Sequence, residues 1–350
     1  MIGEGEGSVE KSTTRRQFIS QAVALSSLAL PMSVQSSTLD FLADKKSEKG
    51  LSSSERFKLT RSVLDVLETY YKGITLQFWN LPFEKIDFEK RIINIVYWVD
   101  QAIRQNKGEY YVDPAWVMSQ IMAESLFCEL AISKSLAAGI CQIMPNTATL
   151  DFNMVIAGSK KSHYMPPYQR LELADSLSEY KRRVKEKSSY RKSTKTDATF
   201  NLNKALQWLA EGKSGQEKAL LQQNRNEVLR DYDKKIKLAK EGYVTYINAN
   251  IDALGHRDIF GKQSFFVKFD ERFTYKKPIF AMVDMLANAL RVRNGNMLAA
   301  AAAYNAGLSR TWTNEVLYTQ YGQLPNYSET SRYLSRIIAN YEEISLRFLG

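Results

Sequence analysis

One stretch constrains this chain more than any other, the 33 residues from Trp116 to Ala148, WVMSQIMAESLFCELAISKSLAAGICQIMPNTA. Its first half has helical period. Val117, Ile121 and Cys128 recur at i, i+4 and i+11, one stripe of an α-helix. The i+7 member of that stripe is Glu124, a carboxylate where the pattern asks for an apolar residue. Burial disfavours the charged form, so the pattern predicts a Glu124 that holds its proton near neutral pH, the state in which a carboxyl group serves as a general acid. The alternative is a Glu at the edge of the stripe, in water or paired with a Lys.

Composition excludes several other chemistries. Apolar residues make up 44% of the 350, ordinary for a globular chain long enough for two domains. The two histidines, His163 and His256, have no metal-ligand spacing, and Cys128 and Cys141 form no CxxC. A metal site or a His-dependent triad is therefore not expected, and no cofactor is implied. Cys128 and Cys141 either meet as a disulfide in an oxidising compartment or stay as buried thiols.

More of the 116–148 stretch narrows the chemistry. After Glu124 come Ser125 and Phe127, then Ser133, then Ala137-Ala138-Gly139-Ile140-Cys141-Gln142-Ile143-Met144-Pro145 and Thr147-Ala148. Far downstream stands Ala302-Ala303-Tyr304-Asn305-Ala306-Gly307. These motifs, in this order and spacing, resemble the lytic transglycosylases of the soluble SLT type, relatives of goose-type lysozyme. Their pattern is Glu-Ser-x-Phe, then Ser-x-x-Gly-Ala-x-Gly-Leu-Met-Gln-x-Met-Pro-x-Thr-Ala, then Ala-Tyr-Asn-Ala-Gly. The resemblance covers 113–157 and 265–346.

It implies an all-α, lysozyme-like fold acting on peptidoglycan glycan strands. Glu124 would be the single acid/base, first protonating the oxygen between N-acetylmuramic acid and N-acetylglucosamine. As a carboxylate it would then take the muramyl 6-hydroxyl proton and close a 1,6-anhydro ring. The substrate's N-acetyl group would take the place of the second carboxylate that most glycosidases use. Ser133, Gln142 and Met144 would line the cleft, with Ser133 and Gln142 bonding the sugar. Tyr304 and Asn305 would complete its wall, with the Tyr304 hydroxyl holding the acid or a sugar oxygen. Pro325 and Arg332-Tyr333-Leu334 resemble the family's last element, where Tyr333 would face the cleft. Gly139 would let backbone approach a sugar, or is a plain turn glycine. The sequence departs from the pattern at Leu136, in place of Gly, and at Cys141, in place of Met. Two rival readings remain. One is a muramidase using water, with Asp270 or Glu271 as second carboxylate. The other is a catalytically silent wall-binding or assembly protein.

The remaining chain is read in order. Thr13-Thr14-Arg15-Arg16-Gln17-Phe18-Ile19 before an apolar run at 22–34 resembles a twin-arginine export signal, the alternative being a basic tail. Residues 1–37 are thus expected as a signal segment, 38–53 as a linker and the exported protein as periplasmic, with no transmembrane helix in the mature chain. In 54–112, Leu59, Val63, Val66 and Tyr70, then Ile92, Val96, Val99 and Ile103, predict a helical pair, the first opened by a Ser52/Glu55 capping box. Asp113 and Pro114 predict the start of the Glu124 helix, expected to run to about Leu130 with Glu129 pointing away from the acid.

Residues 158–264 read as an insertion. Leu173, Leu177, Tyr180 and Val184, and Leu229, Tyr232, Ile236, Ala239 and Tyr243, form heptad-like seams that predict an antiparallel hairpin, linked at 188–197. A short helix at 202–209 would cap it. From 160 to 241 there are 20 Lys/Arg and 11 Asp/Glu, a net +9 within a chain of net +10. The excess is local and predicts an acidic protein or an anionic envelope component as partner for 160–241. A solvated helical face is the alternative reading of the same charges. Nucleic acid is not expected, since no recognised module is present.

Overall fold

The computed structural model describes residues 41–45, 50–162, 169–195, 201–253, 259–315 and 319–350. The expected signal segment, both histidines and residues 196–197 of the expected 188–197 link lie outside the described residues, while residues 188–193 of that link are helical. Within them the protein is all-α apart from one two-stranded ribbon, Thr75–Leu76 against Leu81–Pro82.

Helices α1 (Ser53–Tyr71) and α2 (Phe88–Gln105) pack on each other through the stripes that predicted them. Leu59, Val63, Val66, Ile92, Val96, Val99 and Ile103 are buried, whereas Tyr70 is half exposed. Both arms of the Ser52/Glu55 capping box form. Residues 41–45, expected as linker, pair with the body: Ala43 donates to the Gly295 carbonyl, and Met297 donates to the Phe41 carbonyl.

Helix α3 (Pro114–Ser125) starts as predicted, with Asp113 accepting from the amides of Ala115 and Trp116. Every residue of α3 except Glu124 is buried. A helix apolar on all sides belongs in a core, and α2 and the C-terminal helix enclose this one. It ends at Ser125, not at Leu130. Leu126 caps it at φ 50° and Phe127 follows at φ 59°. Left-handed backbone costs a non-glycine residue about 1–2 kcal/mol, and tertiary bonds described below hold it there.

The stretch expected as an insertion forms α4 (Ser176–Ser193), α5 (Leu202–Ala210) and α6 (Gln216–Asp252). Helices α4 and α6 pack antiparallel: Ser176 lies against Gly242, Lys187 pairs with Asp233, and Arg225 bonds Thr194. Leu173 sits in a short 3-10 turn before α4. Leu177, Ala239 and Tyr243 are buried near the body, but Val184 is 40% exposed, so the apolar seam gives way to polar contacts further out.

The chain returns through α7 (Gln263–Phe269), α8 (Lys276–Val292), the alanine helix α9 (Met297–Ala306) and α10 (Ser328–Leu349). Alanine lacks bulk beyond Cβ, so α9 sits close against α8 and α10. Helix α10 lies across α3 and α1. Tyr341 donates to Asp113 at 2.7 Å and Asn340 to the Ser119 carbonyl at 3.3 Å, which fixes α10 along α3. No described helix is long and apolar enough to cross a membrane.

Candidate active site

Glu124 occupies the last turn of α3 as its one residue that is not buried. Tyr333, buried on α10, donates its hydroxyl to Glu124 Oε1 at 2.7 Å. Burial first, and then the neighbouring Glu124 charge, push the Tyr333 hydroxyl well above its ordinary pKa. It therefore stays protonated, and a donor, around neutral pH. Tyr304 lies at the end of α9, and its hydroxyl donates to the Cys141 carbonyl at 2.6 Å, so it braces the following turn and not the acid. Burial, then Cys141 and then Glu124, raise the Tyr304 hydroxyl likewise. Asn305 accepts from the Thr330 hydroxyl at 3.0 Å and joins α9 to the start of α10.

The turn at 133–144 forms the other side of the site. Ser133 Oγ accepts from the amides of Ser135 and Ala137, closing the turn on itself. Gln142, at φ 48°, donates its amide nitrogen to the carbonyls of Ala131 and Gly139. Its amide oxygen takes no part in either bond. Met144 is 39% exposed, the apolar member of this edge. Ser125 Oγ donates to the Ile140 carbonyl at 2.9 Å, tying the residue after the acid to the centre of the turn. Leu136 is buried at φ 70°, a conformation a glycine would adopt without strain. That explains the Gly of the family pattern, and shows that Leu136 packs into the core instead of narrowing an opening.

Gly139 lies hard against another part of the chain. At φ +78° its ideal Cβ would fall on the Arg272 carbonyl oxygen, so the close approach is between two backbones. Arg272 is wholly buried beneath the turn. It pairs with Asp270 at 2.7 Å, donates to the Leu136 carbonyl at 2.9 Å, and donates to the Tyr243 hydroxyl on α6 at 2.9 Å. Asp270 also accepts from the Ala157 amide, and Glu271 accepts from the Val155 amide and pairs with Lys277. Asp270 thus joins the turn to Tyr243 through Arg272, while Glu271 joins residue 155 to α8.

Glu129 lies past the helix it was expected to stand on. The helix has ended before it, and its side chain turns into the core to meet Arg91 at 2.9 Å and the Tyr275 hydroxyl. Burial raises its carboxyl against the pull of both partners. Arg91 in turn lies over the Trp79 ring, 4.8 Å from its centre, and Trp79 donates to the Leu126 carbonyl at 3.1 Å. Trp79 thereby holds the strained residue two places after the acid. Sequence reading missed it because it stands in an irregular loop with no period. Cys128 and Cys141 are both free thiols, buried apart, with Cys128 donating to the Phe78 carbonyl. Among the described residues no group of three or more His, Cys, Asp or Glu is placed to hold a metal ion.

Residues 101–207 match the family model described as Transglycosylase SLT domain. The match takes in α3, Glu124 and the 133–144 turn, and runs on through α4 into α5; Tyr304, Asn305 and Tyr333 lie beyond it. It supports transglycosylase chemistry on peptidoglycan, in agreement with the motifs. No curated protein and no solved structure matches the chain.

Proposed function

We propose that the protein is a peptidoglycan lytic transglycosylase that cleaves the β-1,4 bond between N-acetylmuramic acid and N-acetylglucosamine without water. The observation that carries this reading is the single Glu124, held by Tyr333, in a site whose other nearby carboxylates are tied up. Tyr333 donates to Oε1, which leaves Oε2 to carry the acid proton. Oε2 passes that proton to the glycosidic oxygen, the muramyl C1–O bond breaks, and the N-acetylglucosamine side leaves as a free 4-hydroxyl. The muramyl N-acetyl oxygen supports the positive charge at C1. The Glu124 carboxylate then takes the 6-hydroxyl proton as O6 bonds to C1, which returns the acid to its starting state. Hydrogen bonding by Tyr333 stabilises the carboxylate between the two proton transfers. Ser133, Gln142, Met144 and Asn305 would shape the sugar site, the Gln142 amide oxygen being aligned as an acceptor by the two bonds its nitrogen makes. Tyr304 would act through the Cys141 carbonyl by fixing the turn. Export through the twin-arginine route to the periplasm would bring the enzyme to its substrate.

The test is mass spectrometry of muropeptides released from purified peptidoglycan. The wild-type protein is expected to release products carrying 1,6-anhydromuramic ends. Glu124→Gln should lower their yield by about 10²–10⁴-fold, the range for loss of a general acid or base. Reducing ends in place of anhydro ends would overturn the reading in favour of hydrolysis.

A further inference from the structure

The far end of the hairpin carries an apolar face that no described residue covers. Helix α5 sets Leu202, Leu206 and Leu209 at i, i+4 and i+7, on one side. They are 73%, 56% and 75% exposed, and Leu220 on the first turns of α6 is 52% exposed. Because Thr194 at the end of α4 meets Arg225, residues 216–224 of α6 extend past α4. Gln216 stands about 40 Å along the helix from Gly242, where α6 meets the start of α4. The same end is basic. Between 190 and 225 the chain has seven Lys/Arg and three Asp/Glu, and Lys204, on the side of α5 opposite the leucines, and Lys218 on α6 are exposed.

We infer that α5 and the adjoining turns of α6 form a foot that docks the hairpin on an anionic lipid bilayer. An amphipathic helix with leucines on one side and lysine on its polar side lies in the plane of a membrane interface, apolar side down. Side chains three-quarters exposed project outward. A fluid apolar phase accepts projecting leucines as they are, whereas a folded partner must offer a matching pocket. The lysines select an anionic headgroup surface. A second copy would bring two basic ends together, which repel. Nucleic acid would use the lysines and gain nothing from the leucines. This inference stands apart from the proposed reaction, and its test does not read activity.

The full-length chain is mixed with vesicles of phosphatidylglycerol and phosphatidylethanolamine, or of phosphatidylcholine alone, and floated through a density gradient. The wild type is expected to float with the anionic vesicles, to release them as salt is raised, and to stay behind with the neutral ones. Leu206→Ser with Leu209→Ser should lower the bound fraction at least about tenfold. Leu349→Ser, which removes an 80% exposed leucine elsewhere, should leave it unchanged. All three proteins share residues 1–40, so that segment cannot produce the difference. Three results overturn the inference: no flotation of the wild type, equal flotation of the double variant, or a wild-type dimer in light scattering that the same substitutions dissociate without lipid.

Discussion

Tyr333 and Glu124 stand 209 residues apart and meet through one hydrogen bond, so the acid's environment is set by a side chain from the last helix. A bond to a charged group is worth about 1.5–3 kcal/mol. Tyr333→Phe keeps the buried ring and removes only the hydroxyl. Its kcat on purified peptidoglycan should fall about ten- to hundredfold, with KM near that of the wild type. Cys141 gives a second prediction. Burial first, and then the Glu124 charge, raise its thiol well above the ordinary value. A raised thiol pKa means less thiolate at any given pH. Iodoacetamide at pH 8 should therefore leave Cys141 unmodified in the native protein and modify it in urea, as mass spectrometry of tryptic peptides would read. The acid at Glu124 was legible because it broke a stripe, and the Asp113 cap because its chemistry is local. The partner of the Tyr304 hydroxyl was not, since a backbone carbonyl on another element leaves no mark in the sequence.

Elements with a period announced themselves, and the segments between them did not. Both stripes of the α1/α2 pair and the start of α3 follow from spacing and capping alone. The end of α3 does not, because Leu126 and Phe127 carry none of the Gly or Asn signals that mark a left-handed cap. Their conformation is imposed from outside, by the Trp79 bond to Leu126 and the Ser125 bond to Ile140. The 133–144 turn is likewise fixed from beneath by Arg272, which reads as an ordinary charged residue until its burial is seen. Gly139→Ala tests that contact. A Cβ there meets a carbonyl oxygen of the buried Arg272 backbone and also strains a positive φ. The substitution should cost about 3 kcal/mol or more, measured by urea unfolding. Wild-type stability would mean that the two backbones separate freely.

Across the whole molecule, charge was legible and exposure was not. Counting Lys and Arg placed the basic excess on the insertion without any structure. The same pattern of leucines in α5 describes a helix capping a hairpin and a helix facing outward, because period says which side is apolar and not what lies against it. The order of packing was hidden too. Helix α10 reaches back to α1 and α3, and α8 to α2, so the body closes only through contacts between distant parts of the chain. This has a consequence during synthesis. A ribosome that has made α3 and the 133–144 turn has already made the acid, but neither Tyr333 nor the helix that covers α3 yet exists. Partial chains carry Glu124 without the group that holds it. The Glu124–Tyr333 pair is completed last, by the C-terminal helix, so the earliest-made member of the site waits for the latest.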